Sequence, residues 1–76
     1  ETTRLGEHIS GDIVVIERVR EREKEELQYL ARIGMVPGKQ VEVESVAPFG
    51  MVTLTNENGT HSLPKEIAMS IHVKKI

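Results

Sequence analysis

Side chains able to do chemistry are few in these 76 residues and thinly spread. Cysteine is absent, so there is no thiol nucleophile, disulfide or thiolate metal site. Asp12 is the sole aspartate. Ser10, Ser45, Ser62 and Ser70 sit in no nucleophile motif, and no glycine-rich loop follows a strand to cradle phosphate. His8, His61 and His72 read as lacking a second histidine or carboxylate at short metal-ligand spacing. His61 and His72 read as partly exposed strand residues, and His8 as part of a lead-in able to reach a site elsewhere. Two acids stand out by position: Glu17 and Glu21 fall at the end of the first strand-like run, beside an acid-rich turn. Carboxylates suit divalent Fe or Mn when imidazoles or other oxygens complete the shell. Glu17 and Glu21 are therefore the candidate metal ligands, in a site that another segment would complete. The alternative is a solvated mixed-charge face. An enzyme requires acid, base or nucleophile groups held in a cleft. The pattern offers no such set, which points to a non-catalytic domain.

Charge argues against direct nucleic-acid binding. The net charge is −2, and Arg18, Arg20, Arg22 and Lys24 alternate with Glu17, Glu21, Glu23 and Glu25. A nucleic-acid reader normally gathers its cations on one face. Tyr29 and Phe49 are the only aromatics, too few to stack bases or to line a proline-peptide groove. Phe49, in Ala47-Pro48-Phe49-Gly50, is either a partner-binding tip or a ring folded back on the core. No apolar run approaches the roughly 20 residues of a membrane helix, and no signal peptide is visible. A cytoplasmic home is expected. The chain opens on Glu1 rather than Met, which suggests an excised or processed domain.

The elements that must position these residues follow from local pattern. Residues 1–10 are polar apart from Leu5 and Ile9 and read as a tether, leaving 11–76 as the domain. Ile13 to Ile16 are β-branched and apolar, a central strand. Leu27, Leu30, Ala31 and Gly34 lie at helical spacing, with Glu23, Glu25 and Glu26 in the first turn, where the helix dipole favours acids. Gly34 is placed to stop the helix with positive φ. Val36-Pro37-Gly38-Lys39 fits a type II turn. Alternation then marks strands at Val41–Val43, Val52–Leu54, Thr60–Leu63 and Ile71–Val73, with Asn58-Gly59 closing a hairpin. One helical turn follows Pro64. The expected core is Ile13, Val15, Val19, Leu27, Leu30, Val41, Val43, Val52, Leu54, Leu63, Ile67, Ala68, Ile71 and Val73. The fold class is mostly β: a small, partly open five-stranded barrel, one α-helix between the first two strands, and a helical turn before the last.

Two stretches carry a family likeness: "LQYLARIGMVPGKQVEVESVAPFG" and, after the hairpin, "HSLPKEIAMSIHV". They resemble the SH3-like domain of the FeoA family. That family occurs as a stand-alone accessory of the bacterial ferrous iron transporter and as the C-terminal domain of DtxR-type iron- or manganese-dependent repressors. The acid-rich segment before Leu27-x-Tyr29-Leu30, and Met51-Val52 where stand-alone members carry Gly-Gly-Pro, resemble the repressor version. The resemblance implies a regulatory domain for Fe2+- or Mn2+-activated DNA binding by N-terminal domains, in a dimeric repressor. Its partners would be those domains, with DNA contacted only through them; in the accessory setting the partner would be the transporter. Iron-type members place a Glu and a Gln three residues apart near the end of the first strand, and these align with Arg18 and Glu21. A guanidinium cannot ligate a metal. The carry-over therefore rests on Glu21, with Glu17 substituting if the register slips by one. Gly34, Pro37 and Gly38 carry the structural turn.

Overall fold

The structure, a computed structural model, describes residues 2–20, 23–48 and 50–76. Strand β1 (Thr3–Arg4) and a 3-10 turn (Leu5–Glu7) precede β2 (Ile13–Val19) and helix α1 (Lys24–Arg32). Strands β3 (Gln40–Val46), β4 (Met51–Asn56) and β5 (Gly59–Pro64) then run as a meander. Helix α2 (Lys65–Ala68) leads into the closing β6 (Ile71–Lys75). The six strands form one antiparallel sheet in the order β1-β6-β2-β3-β4-β5. The sheet curls without closing, leaving β1 and β5 as its edges. This is the mostly β, SH3-like, partly open barrel expected, with the two-residue β1 added to the five anticipated strands.

That added strand lies in the segment read as a tether. Thr3 and Arg4 pair with Val73 and His72 of β6, and Leu5 is wholly buried. The room a Cβ at Gly6 would need is filled by Met69 and Ala68. Leu5 is held in the core by burial, which contributes about 1.5–3 kcal/mol for a leucine.

The core consists of Leu5, Val14, Ile16, Leu30, Ile33, Met35, Val41, Val43, Val52, Leu54, Leu63, Ala68, Ile71 and Val73, with Val19, Val46 and Ile67 packed against it. The expected core is corrected in two places. In β2 the inward residues are Val14 and Ile16, not Ile13 and Val15: Ile13 is 39% exposed and Val15 half-buried. Strict alternation counted back from Val19 selects 15 and 13. A bulge between Ile16 and Arg18 inserts Glu17 as an extra residue, and such an insertion reverses which residues face in. In α1, Leu27 is 38% exposed and Leu30 alone is buried. The apolar stripe continues past the helix end into Ile33 and Met35 rather than back to Leu27.

Candidate docking site at the helix-to-strand corner

Helix α1 ends in a locally encoded stop. Gly34 has φ +86°, a conformation that costs residues with a Cβ. Its N–H donates to the Ala31 carbonyl at 3.2 Å, and the Met35 N–H donates to the Leu30 carbonyl at 2.8 Å. This is the paired-bond ending that satisfies terminal carbonyls, with buried Met35 against buried Leu30 as its apolar contact. The side-chain amide of Asn56, on the β4 end of the hairpin, donates to the Ile33 carbonyl at 2.9 Å. The helix end is thereby tied to the sheet.

The turn at Val36-Pro37-Gly38-Lys39 follows directly. The Lys39 N–H donates to the Val36 carbonyl at 3.2 Å, and Gly38 has φ +92°, as a type II turn requires. The turn is stitched to the middle of β2: the Gly38 N–H donates to the Ile16 carbonyl at 2.7 Å, and the Ile16 N–H donates to the Lys39 carbonyl at 2.9 Å. The β4–β5 hairpin packs on the other side. Its Asn58 N–H donates to the Asn56 side chain at 2.8 Å. Within the hairpin Gly59 takes positive φ and Asn58 does not.

Between turn and hairpin lies a groove of about 460 Å³. Ile13 and Val41 give it an apolar side, Gly34 and Gly38 a wall of bare backbone, and Gln40, Glu42 and Thr55 a polar margin. Lys39 and Glu57 pair at 2.9 Å on its rim. Both are exposed, so the pair contributes little stability. The Ile13 side chain, expected inside, is instead presented here. A groove of this kind can accept an apolar side chain from a partner segment. Nothing in it resembles an acid, base and nucleophile set.

Of the two expected metal ligands, Glu17 alone lies among the described residues. Glu17 is the exposed extra residue of the β2 bulge. Glu21 lies outside the described residues, as does Phe49. Among the described residues no three His, Asp or Glu side chains are grouped to hold a metal ion. The described residues alone therefore do not fit Fe2+ or Mn2+.

His8 is placed otherwise than expected, while His61 and His72 are the partly exposed strand residues anticipated. His8 belongs to a side-chain chain: its Nδ1 is 2.9 Å from Asp12 Oδ2, and its Nε2 is 2.7 Å from the Thr3 hydroxyl. Asp12 also accepts the Ile9 N–H at 3.3 Å and lies 3.3 Å from Lys75 Nζ. The His8 hydrogen bond, then the Ile9 N–H and Lys75, hold the Asp12 carboxyl below its ordinary value of 3.8. This network fastens the lead-in to the sheet. Its signal in sequence was the four-residue spacing of His8 and Asp12 around Gly11. His61 pairs with Leu54 in the ladder and so shares the core-facing side, where its Nε2 is buried with no partner among the described residues. His72 faces outward between Arg4 and Arg18, its strand neighbours on either side.

The profile of the FeoA domain family matches residues 3–75. Among solved structures, the crystal structure of an iron uptake regulatory protein (FeoA) superposes with a TM-score of 0.88 at 21% identity, covering 100% of this chain and 99% of that one. A manganese-dependent transcriptional repressor gives a TM-score of 0.91 at 24% identity over 99% of this chain and 41% of its own. The T. acidophilum IdeR gives 0.89 at 27% identity over 99% of this chain and 34% of its own. This chain thus spans nearly all of the first protein and between about a third and two fifths of the other two. No curated protein sequence matches the chain. No helix among the described residues is long and apolar enough to cross a membrane.

Proposed function

Because the chain belongs to the FeoA domain family, we propose that it is the regulatory, non-catalytic C-terminal domain of a cytoplasmic, metal-dependent repressor of the DtxR type. The observation that carries this reading is the likeness to T. acidophilum IdeR, at higher identity than to the FeoA protein and with this chain spanning only part of IdeR's length. The acid-rich segment before Leu27-x-Tyr29-Leu30 and the Met51-Val52 continuation support it from sequence.

In this reading Fe2+ or Mn2+ is held mainly by other domains of the same dimeric repressor, and DNA is contacted through those domains. Glu17 and Glu21 act at most as accessory ligands. The domain works by differential docking: it contacts one state of the repressor better than the other. Coupling of this kind is typically ~1–3 kcal/mol, or about 5–150-fold in affinity. The corner suits that task. Its glycine stop and proline-glycine turn bond α1, β2 and the hairpin into one rigid block, and the Ile13 groove offers a contact that requires no catalysis.

The near-complete coverage of the FeoA protein favours a second reading, a stand-alone accessory whose partner is a ferrous iron transporter. The coding sequence ahead of Glu1 tests the choice. A winged helix-turn-helix and a dimerisation domain there support the repressor, and a start codon directly ahead refutes it. Within a repressor, deleting the domain should shift the metal concentration for half-maximal operator binding by about 5-fold or more. Calorimetry of the 76-residue chain with Mn(II) should show no saturable heat below about millimolar metal, since a lone carboxylate pair lacks the ligands of a divalent site.

A further inference from the structure

The outer face of the β1-β6-β2 edge carries a row of cations that the family reading leaves without a task. Residues directly opposite in an antiparallel ladder share a face, and His72 lies opposite both Arg4 of β1 and Arg18 of β2. Ile71 and Val73 point into the core, so Arg4, His72 and Arg18 point outward in one line. Adjacent strands are about 4.8 Å apart, which puts the two arginine backbones about 10 Å from each other. Two further cations extend the row. The Arg20 N–H donates to the Ser70 carbonyl at 2.7 Å, which keeps Arg20 on the Arg18 side, and Lys74 sits two residues beyond His72 in β6.

The β2 bulge builds this arrangement. By inserting Glu17 it turns Val19 inward and Arg18 and Arg20 outward. In the plain sequence Arg18 and Arg20 look neutralised by neighbouring glutamates. In the fold, among the described residues, neither they nor Arg4 makes an ion pair, since the three pairs present involve only His8, Asp12, Lys39, Glu57 and Lys75. Among the described residues, the acids on or beside the face are Glu7 and Glu17. Glu7 is engaged by the Arg4 N–H at 2.9 Å. Among the described residues, four cations against two acids give this face a positive excess in a chain whose net charge is −2. The imidazole registers that field. Burial first, then Arg18, Arg20 and Arg4, hold His72 below its ordinary value of 6.5, with Glu7 opposing.

We propose that this face is a docking surface for a carboxylate-rich protein segment, gripped by Arg4, Arg18 and Arg20 around His72. Unpaired guanidinium forks suit carboxylates, which they bind through two parallel N–H bonds. The row is short and flat, matching two or three carboxylates of an extended acidic segment. A nucleic acid is a poorer match, because the three strands that build this face carry no Phe, Tyr or Trp for base stacking. The surface stands in either setting of the domain, repressor or accessory.

The test is a titration of the 15N-labelled 76-residue chain with a hexaglutamate peptide at about 20 mM salt, where exposed charges are weakly screened. Saturable binding is expected, with amide shifts confined to residues 3–5, 15–20 and 70–75 and a rise in the His72 imidazole pKa as the peptide binds. Arg18→Glu and Arg4→Glu, each with an unchanged circular dichroism spectrum, should weaken binding about tenfold, and Lys65→Glu should leave it unchanged. Shifts spread evenly over all lysines and arginines, or an Arg18→Glu affinity equal to the parent's, overturn the proposal. So does tighter binding of a thymidine hexanucleotide than of the peptide. The mapping on the parent chain decides the matter even if a variant fails to fold.

Discussion

Gly34→Ala probes the corner most directly. At φ +86° any residue with a Cβ meets the following carbonyl oxygen, at a cost of about 1–2 kcal/mol. The new methyl would also stand 3.2 Å from Asn58 Oδ1, 3.3 Å from Asn58 Cγ and 3.4 Å from Asn56 Nδ2. The Asn56 amide must keep its 2.9 Å bond to the Ile33 carbonyl, so displacing it forfeits a further 0.5–1.5 kcal/mol or so. The sum is about 1.5–3.5 kcal/mol. For a domain of this size each kcal/mol moves Tm by about 4–8 °C, so a drop of about 6–28 °C is expected in thermal unfolding followed by circular dichroism. Gly38→Ala is the matched control. Its φ is +92° and nothing lies within 4 Å of the added Cβ, so it should lose only the backbone part, about 1–2 kcal/mol. The difference between the two variants isolates the contact with the hairpin. A Gly34→Ala protein melting within about 2 °C of the parent, or less affected than Gly38→Ala, would refute the argument that this corner ties the helix to the sheet.

Leu5→Ala should destabilise by about 2–5 kcal/mol in urea unfolding, because Leu5 is wholly buried; a tether residue would lose almost nothing. Val14→Ala should cost about 1.5–3 kcal/mol and Val15→Ala less than about 1 kcal/mol, and the reverse ranking would place the β2 bulge elsewhere. Asp12 has a lowered folded-state pKa, so its contribution is fully present above its ordinary value of 3.8 and is lost as pH falls through the folded value. His8→Ala removes the main cause of that shift, so stability measured between about pH 2 and pH 6 should fall less steeply on the acid side in the variant than in the parent.

What the sequence determined by itself was everything encoded within a few residues. The glycine stop at Gly34, the type II turn through Pro37 and Gly38, the hairpin at Gly59 and the strand runs of β3 to β6 each follow from local φ requirements and a two-residue period, and each is present in the fold. The family likeness rests on those same local signals. What only the tertiary structure decided was phase and pairing. A single inserted residue at Glu17 turned Val14 and Ile16 inward, exposed Ile13 to the groove, and brought Arg18 beside His72 and Arg4. Pairing with β6, some seventy residues away along the chain, drew Thr3 and Arg4 into the sheet and set Leu5 in the core. The Asp12 network similarly needed Lys75 from the far end of the chain. Such features depend on which strand lies alongside. A bulge leaves no mark in a run as uniformly β-branched as Ile13 to Ile16, because either phase offers the core equally apolar side chains.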